Sequence, residues 1–381
     1  MNKKKSILLF ADWYEPGYKA GGPIRSCVNF VEHMKTTYSI FVFTSDRDLN
    51  ADAPYADIVS DRWINKEENV QLYYCSPGKL NWKNILEQMT HVQADFIYLN
   101  SMFSKYFTIF PLLAAKTKDV QGRIFLSPRG MLRASALQFK PLKKKFFLTA
   151  FRSLGHGKQI HFIAADDTEM DDVKHFFGRS AEVTKLPNFS GVLAAKPAGV
   201  HKEPGQLSMI FVGRIHPIKN LDYLLKLVKD LKANIRITIA GSLEDKNYWD
   251  LCGRLITELP KNVLVDYIGE KPNGQLPAII SANHIFVLPT QGENFGHAIA
   301  EALSLGRPVL ISNQTPWRNL QNEKAGWDLP LDQPELFIKA IEEAAALNQV
   351  GYNAFAETAF SFIKKRIEKN NLLDNYKKLF S

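Results

Sequence analysis

The sequence predicts an α/β fold in two domains, and three features of the chain point to it. At 381 residues the chain is long for one domain, and its hydrophobic content of 45% is enough for a core in each half. Short apolar runs with strand character alternate with helical stretches along most of the chain. The stretch 191–206 is rich in Ala, Pro, Gly and Lys and has no apolar periodicity, which is typical of a linker.

Charge and composition narrow the class of protein. A net charge of +9 suits nucleic acid, an anionic membrane or phosphorylated ligands, and no nucleic-acid motif accompanies it. Cys27, Cys75 and Cys252 have no paired spacing, which argues against disulfides or a zinc site and for a reducing compartment. The apolar run Ile7 to Ala11 is too short for a signal peptide, and no stretch approaches the roughly 20 apolar residues of a spanning helix. We therefore expect a cytoplasmic protein, with peripheral membrane contact left open.

The first domain, expected over 1–190, has the alternation of a Rossmann-like fold. Strands are predicted at Ser6 to Phe10, Tyr38 to Thr44, Val70 to Cys75, Phe96 to Leu99, Ile124 to Leu126 and Ile160 to Ala165. Helices are predicted at Ile24 to Met34, at Asn84 to Met89 and after Asp166. The polar stretch 49–70 is expected to leave the sheet.

Two places in this domain suit a ligand. Gly21 and Gly22 put flexible backbone at the start of a helix, a geometry that binds phosphate. Asn100 and Arg129 follow two successive strands, and the carboxyl ends of parallel strands are where open sheets bind ligands. Ordinary loop polarity is the alternative for Asn100 and Arg129.

A basic segment at 138–158 allows two interpretations. Lys143 to Lys145 stand beside Phe146 and Phe147, and a basic helix with aromatic residues is typical of binding to an anionic membrane surface. The alternative is a helix whose apolar side packs on the sheet and whose lysines are solvated. Exposure of Phe139 and Phe151 would favour the membrane.

The second domain is expected over 207–360. Strands are predicted at Leu207 to Val212, Ile235 to Ala240, Val263 to Ile268, Ile285 to Leu288 and Val309 to Ile311. Helices are predicted at Leu221 to Leu231, Gln275 to Ala282, Ala298 to Leu305 and Pro334 to Ala346, and the stretch Tyr352 to Phe380 is expected to be largely helical.

Two loops of the second domain carry charged residues in positions that suit a phosphorylated sugar. Arg214 and Lys219 share one strand-to-helix loop, where a pair of cations forms an anion site unless both are plain surface charges. Glu293 lies in a glycine loop and Glu301 in the helix after it, so each can reach a different part of one ligand. Carboxylates accept two hydrogen bonds from a vicinal diol, as sugars and ribose offer. A capping role for Glu293 and a solvated Glu301 are the alternative.

The segment from Glu293 to Glu301 resembles the E-x7-E signature of retaining glycosyltransferase family 4, whose members have the GT-B fold. The usual Glu-Gly-Phe-Gly is here Glu293-Asn294-Phe295-Gly296. The following Thr315-Pro316-Trp317 and Gly326-Trp327 are similar to a subgroup found in bacterial polysaccharide clusters. The resemblance extends over nearly the whole chain, and it implies two Rossmann-like domains facing across a cleft, with 361–381 as a terminal helix that crosses back to the first domain.

The resemblance also implies an activity. A retaining glycosyltransferase of this type moves a sugar from a nucleoside-diphosphate sugar to a glycan or lipid-linked acceptor, without a metal or another cofactor. The roles implied for individual residues are catalysis by Glu293, Arg214 and Lys219, and acceptor or phosphate contacts by Asn100 and Arg129. Donor contacts fall to Gly21, Gly22, Asn294, Phe295, Gly296 and Glu301.

Other functions remain open at the level of sequence. A nucleotide-sugar epimerase can share the GT-B fold, but no acid/base pair can be placed for it. An inactive transferase-like scaffold is opposed by the joint presence of the four charged residues in the two loops. A NAD-dependent oxidoreductase would need a G-x-G-x-x-G loop, which is missing although Asp46 and Asp48 stand where such enzymes keep a ribose-binding acid. Asp46-Arg47-Asp48 is the nearest approach to a metal-binding Asp-x-Asp motif.

Overall fold

A computed structural model describes residues 4–133, 137, 144, 147–149, 151, 160–191, 193, 199–369 and 371–381 of the protein. The chain forms two compact units, the first made of Met1–Phe189 with Asn371–Ser381 and the second of Ser190–Asn370. Each unit has its own largely parallel sheet flanked by helices, so the predicted α/β fold of two Rossmann-like domains is confirmed. The predicted linker lies partly outside the described residues, and its last residue, Gln206, already belongs to a strand.

The first unit is built on an eight-stranded sheet in the order β3-β4-β2-β1-β5-β6-β7-β8. Its strands are β1 Ser6–Phe10, β2 Ser39–Ser45, β3 Trp63–Glu67, β4 Val70–Cys75, β5 Phe96–Leu99, β6 Arg123–Leu126, β7 Ile160–Ala164 and β8 Val183–Lys185. Its helices are Gly22–Met34, Trp82–Val92, Phe110–Ala114 after a π-helical turn at Lys105–Ile109, Asp167–Phe177 and Leu372–Leu379. Every pairing is parallel except that of β3 with β4.

Strand β1 shows why the apolar runs of this chain predict strands well. Ile7 and Leu9 pack into the core on one face of the sheet, and Leu8 and Phe10 into the core on the other. A central parallel strand is covered by helices on both faces, which is why the run Ile7 to Phe10 is apolar throughout. The same reasoning applies to β5 and β12, whose residues are all buried.

The second unit has a six-stranded sheet in the order β11-β10-β9-β12-β13-β14. Its strands, all parallel, are β9 Gln206–Val212, β10 Asn234–Ala240, β11 Val263–Tyr267, β12 Ile285–Leu288, β13 Val309–Ser312 and β14 Gly326–Leu329. Its helices are Leu221–Leu227, Lys246–Thr257, Leu276–Ser281, His297–Ser304, Pro334–Ala346 and Gln349–Lys369, with 3-10 turns at Pro217–Lys219 and Asn273–Gln275.

The end of the chain is two helices rather than one. The helix Gln349–Lys369 stays with the second unit, and the segment that packs on the first unit begins at Asn371, ten residues later than the expected 361. The ring of Phe380 is fully buried there, with ring centroids 4.5 Å from Phe125 and 5.3 Å from Phe96. This aromatic packing fixes the helix Leu372–Leu379 on the first unit.

Sequence periodicity missed three short edge or near-edge strands and one helix. β3 lies inside 49–70, so that stretch does not wholly leave the sheet, and its polar residues reflect an edge position. β8 and β14 are also edge strands, of three and four residues, and are too short to show alternation. The helix Lys246–Thr257 is mostly polar apart from its inner face.

The basic segment is only partly within the described residues. Lys143, Lys145, Phe139 and Phe146 lie outside them. Phe151 is buried beside Phe177 and Phe147, with ring centroids 5.3 and 5.5 Å away, so it packs in the first unit. The burial of Phe151 favours the second interpretation of this segment, in which its apolar side packs within the domain. No helix among the described residues is long and apolar enough to cross a membrane.

Candidate functional site

Two loops of the second unit come together at the carboxyl edge of its sheet. The cation loop (213–220) follows β9 and the glutamate loop (289–296) follows β12, and these two strands are neighbours. The backbone N–H of Gln291 donates to the Ile218 carbonyl over 2.8 Å, and the Thr290 hydroxyl donates to the same oxygen over 2.9 Å. Residues 72 and 73 positions apart are therefore held in contact.

An ion pair joins the two loops. The Lys219 ammonium donates to the Glu293 carboxylate, and the two side chains are only 15% and 14% exposed. Lys219 ends the 3-10 turn Pro217–Lys219, and the Glu293 N–H is held by the Gln314 carbonyl at 3.1 Å. Both ends of the ion pair are thus anchored through the backbone. A cation with this little solvent screening attracts an anion strongly.

Arg214 pairs with a residue of a third loop. Its Nη1 donates to both carboxylate oxygens of Glu244, over 2.7 and 2.5 Å, in the loop after β10. That loop approaches closely because Gly241 has no side chain: a Cβ there would lie 1.8 Å from the Gly213 carbonyl oxygen. Sequence reasoning missed Glu244, because only the pairing of β9 with β10 brings it to Arg214.

The start of the helix His297–Ser304 is shaped by its neighbours. Gly296 has a left-handed φ of 76°, which turns the chain from the glutamate loop into the helix. The buried indole of Trp317 donates from Nε1 to the Phe295 carbonyl over 2.5 Å, and the Arg366 guanidinium lies 4.6 Å from its ring centroid. Trp317 therefore fixes the backbone next to the helix start. Glu301 lies one turn into the helix and is half-buried.

One polar atom of the glutamate loop is left unsatisfied. The side-chain oxygen Oδ1 of Asn294 is buried and has no hydrogen-bond partner among the described residues. A buried acceptor without a donor costs about 1–3 kcal/mol. Asn294 stands where the Glu-Gly-Phe-Gly pattern described above has a glycine. Its side chain adds a buried hydrogen-bond acceptor next to Glu293 in the sequence.

In the first unit, the structure brings Asn100 and Arg129 together. Arg129 Nε donates to Asn100 Oδ1 and Nη2 donates to the Tyr98 hydroxyl, each over 2.7 Å. Asn100 Nδ2 in turn reaches the Pro23 carbonyl at 3.5 Å, beside Gly22 in the first turn of the helix Gly22–Met34. Gly21 precedes that helix with a left-handed φ of 63°, and no side chain caps it.

Two acidic residues of the first unit were missed by sequence reasoning. Glu169 is 1% exposed and accepts the N–H of Gly130 at 2.5 Å and of Ala165 at 2.6 Å. Burial raises the pKa of Glu169, and the two backbone donors oppose that rise. Asp12, two residues after β1, accepts from the Ser104 hydroxyl at 2.7 Å, and burial raises its pKa as well. Neither residue belongs to a motif that sequence alone could flag.

Asp46 and Asp48 have structural partners. Asp48 accepts the N–H groups of Tyr18 and Lys19, over 2.8 and 3.2 Å, and so holds the loop that precedes Gly21. Asp46 pairs with Arg47 and accepts from Ser60. Among the described residues, no group of three or more His, Cys, Asp or Glu side chains could hold a metal ion.

Comparisons with known proteins fit this geometry. Residues 195–361, which include both loops of the second unit, match the family model described as Glycosyl transferases group 1. The O-antigen chain mannosyltransferase B of Escherichia coli is 32% identical over 108 residues, 28% of this chain and 28% of that protein. The capsular polysaccharide biosynthesis glycosyltransferase CapM of Staphylococcus aureus is 32% identical over 110 residues, 28% of this chain and 27% of CapM. The matched stretch is less than a third of the length of these relatives.

Solved structures match over almost the whole chain. Sucrose-phosphate synthase from Thermosynechococcus elongatus has a TM-score of 0.65 at 12% identity, with 99% of this chain and 98% of that chain covered. WaaG, a glycosyltransferase involved in lipopolysaccharide biosynthesis, has a TM-score of 0.63 at 13% identity, with 99% of each chain covered. HepE of Anabaena in complex with UDP-glucose has a TM-score of 0.61 at 13% identity, covering 96% of this chain and 98% of HepE. The chain therefore has the GT-B fold, and its residues 195–361 match the glycosyl transferases group 1 model.

Proposed function

We propose that the protein is a retaining glycosyltransferase of the family 4 type that uses a nucleoside-diphosphate sugar. The observation that carries the proposal is the contact between Lys219 and Glu293, which joins a phosphate-binding group and a sugar-binding group at one sheet edge. Arg214 adds a second cation in the same loop. A donor with adjacent diphosphate and sugar hydroxyls matches this arrangement of charges.

The chemical demand of the reaction is the negative charge that develops on the leaving diphosphate. Lys219 and Arg214 stabilise that charge, together with backbone N–H groups at the start of the helix His297–Ser304. The diphosphate competes with Glu293 and Glu244 for the two cations, and Glu293 is then released to the sugar hydroxyls. Glu301 binds the ribose. The acceptor attacks on the face from which the diphosphate leaves, and a phosphate oxygen takes its proton.

The biological role we propose is cell-surface polysaccharide synthesis. The names of the relatives support it, because one adds mannose to an O-antigen chain and another acts in capsular polysaccharide biosynthesis. The acceptor is accordingly a glycan or a lipid-linked glycan. The two cations and the helix start meet the charge of the diphosphate, so we propose that the reaction needs no metal.

The proposal is tested by assaying a panel of nucleoside-diphosphate sugars for transfer and hydrolysis, with and without EDTA. Glu293→Gln is expected to lower turnover to below about a tenth, since a charged hydrogen bond is worth roughly 1.5–3 kcal/mol. Lys219→Ala is expected to weaken UDP binding measured by calorimetry. Lys226→Ala is the matched control, because Lys226 is exposed and pairs with Asp222 on a helix. Unchanged UDP affinity in Lys219→Ala would show that Lys219 does not bind the diphosphate. Loss of activity in EDTA that Mg²⁺ restores would show that the reaction needs a metal.

Contact with an anionic membrane is a separate proposal. It rests on the run Lys143 to Lys145, each of which is worth about 1 kcal/mol near an anionic surface. Because Phe151 is buried, the attraction is expected to be electrostatic rather than by aromatic insertion. Replacing the three lysines by Gln should release the protein from anionic vesicles at low salt and leave its melting temperature unchanged. Wild-type protein that ignores such vesicles would contradict the proposal.

A further inference from the structure

We propose that Arg366, on the helix Gln349–Lys369, is a positioning residue for the donor site of the second unit. It holds the loop that follows β13, residues 313–318, which we call the tryptophan loop, and through it the backbone of the glutamate loop. The inference rests on the proposed function and deepens it, because it names a residue outside the charged loops on which donor affinity depends. Arg366 and both loops belong to the second unit.

The tryptophan loop contacts the glutamate loop at two backbone groups. β12 and β13 are neighbours, so the loops that follow them lie side by side at the carboxyl edge of the sheet. The Gln314 carbonyl accepts the Glu293 N–H at 3.1 Å, and Trp317 Nε1 donates to the Phe295 carbonyl over 2.5 Å. These two bonds hold the backbone on either side of Asn294. The position of the Glu293 carboxylate therefore depends on where the tryptophan loop lies.

The indole of Trp317 also packs against the turn that leads into the helix His297–Ser304. A Cβ on Gly296 would lie 3.4 Å from Trp317 Nε1, and the ring centroids of Trp317 and Phe295 are 5.6 Å apart. Trp317 is 1% exposed, so a shift of its ring must be taken up by the groups that it touches. We therefore expect the N–H groups at this helix start, which are proposed to meet the diphosphate, to shift when the indole shifts.

Arg366 holds the tryptophan loop by two contacts. Its guanidinium carbon lies 4.6 Å from the centroid of the Trp317 ring, and its Nη2 donates to the Pro316 carbonyl over 3.2 Å. A planar guanidinium can stack on an aromatic face and donate a hydrogen bond at the same time. Tryptophan gives the strongest cation–π contacts, and they strengthen when the pair is desolvated. Arg366 thus fixes both the ring and the backbone of the tryptophan loop.

The guanidinium of Arg366, rather than its aliphatic stem, accounts for these contacts. Burial lowers the pKa of Arg366, so its surroundings disfavour the charge. Its partners, the Trp317 ring and the Pro316 carbonyl, are neutral, and a buried charge is costly unless its partners stabilise it. The alternative is that Arg366 only packs its stem where its helix meets the helix His297–Ser304. An apolar side chain would serve that purpose equally well, so the two interpretations predict different results for one substitution.

Arg366→Met separates the two interpretations, because methionine keeps an unbranched apolar side chain and removes the guanidinium. We expect this full-length variant to bind UDP, or the nucleoside diphosphate of the best donor in the panel, about two- to thirtyfold more weakly in calorimetry. Hydrogen exchange of the unliganded protein should become faster over residues 291–298 and stay unchanged in β9 and β12. Arg366→Lys keeps a cation but lacks the planar fork, so its affinity should lie between those of wild type and Arg366→Met.

Lys364→Met is the matched control, because Lys364 is exposed on the same helix. Affinity or exchange over 291–298 in Arg366→Met equal to that of wild type overturns the inference, and so does an equal loss of affinity in Lys364→Met. Faster exchange throughout the sheet of the second unit would mean general packing and overturns it too. A wild type that binds neither UDP nor any sugar of the panel contradicts the proposed function, and the inference falls with it. The two failures are distinguishable, because only the second is seen in wild type.

Discussion

At the scale of single residues, the candidate site holds opposite charges in contact before any ligand arrives. Lys219 pairs with Glu293 and Arg214 with Glu244, so each of the two cations that we propose for the diphosphate already has a carboxylate partner. Two cations left unpaired in one loop would repel each other and destabilise the fold. If the proposed donor binds here, its diphosphate brings negative charge to the two cations and its sugar and ribose bring hydroxyls to the two carboxylates, so one ligand can replace both ion pairs.

Asn294 is the residue for which we expect the clearest effect on donor choice. Its buried Oδ1 lacks a donor, and a sugar or ribose hydroxyl can supply one. Asn294→Gly removes this acceptor and restores the glycine of the related motif. We expect KM for the active donor to rise about two- to tenfold, the range of one neutral hydrogen bond. Steady-state kinetics with the best donor of the panel measure it.

The control for this change is Asn313→Gly in the loop after β13. The side-chain oxygen of Asn313 already accepts a hydrogen bond from the Gln314 side chain. Removing it should therefore cost no hydrogen bond to the donor. KM for the donor should stay at the wild-type value in this variant. An unchanged or lower KM in Asn294→Gly would show that Oδ1 makes no contact with the donor.

The identities and positions of the candidate site residues could be predicted from the sequence, but the residues that they contact could not. Lys219, Glu293, Asn100 and Arg129 stand out because polar side chains follow predicted strands. The pairing of Lys219 with Glu293 depends on β9 lying beside β12, two strands that are not consecutive in the chain. Glu169 could not be predicted at all, because its role arises from burial and from two backbone donors.

At the scale of elements, the central strands could be predicted and the edge strands could not. β1, β4, β5 and β12 have the bounds that their apolar runs predict, since strands buried on both faces need apolar residues throughout. β3, β8 and β14 lie at sheet edges, where one side is solvated and the apolar signal is weak. The candidate loops follow central strands, which is why their positions could be derived from the sequence.

His284, which directly precedes β12, is expected to make the second unit sensitive to acid. Its Nδ1 accepts the Ser208 N–H at 2.8 Å and its Nε2 donates to the His201 carbonyl at 2.7 Å, so the ring is neutral. A proton on Nδ1 would face the Ser208 N–H, and burial lowers the pKa of His284. Below the ordinary histidine pKa of about 6.5 the unfolded chain binds this proton and the folded chain does not. Stability therefore falls as the pH falls through that window.

Chemical denaturation between pH 7 and pH 5 measures this dependence. His284→Gln cannot titrate, so the loss of unfolding free energy between these pH values should be smaller than in wild type. His201→Gln is the control, since the His201 side chain is exposed and the substitution keeps the backbone carbonyl that accepts from His284. The same pH dependence in wild type and His284→Gln would show that the ring is already free to protonate in the folded unit.

At the scale of the whole molecule, the chain forms two units, and the first is completed by a segment that follows the second in sequence. The second unit is a continuous stretch, Ser190–Asn370, whereas the first is completed only by Asn371–Ser381. Phe30, Phe96, Tyr98 and Phe125 all place their rings within 6.1 Å of Phe380. Residues Asn371–Ser381 therefore complete the core of the first unit.

Phe380→Ala is expected to destabilise the first unit by about 3–5 kcal/mol, the usual cost of removing a buried phenylalanine ring. Hydrogen exchange followed by mass spectrometry can locate the effect, because each unit has its own core. Protection should fall in β1, in β5 and in the helix Gly22–Met34, and much less in β9 and β12. Lys378→Ala in the same terminal helix is the control, since its side chain is exposed and it leaves the ring in place. An equal loss of protection in both units would mean that they unfold as one cooperative body despite their separate cores.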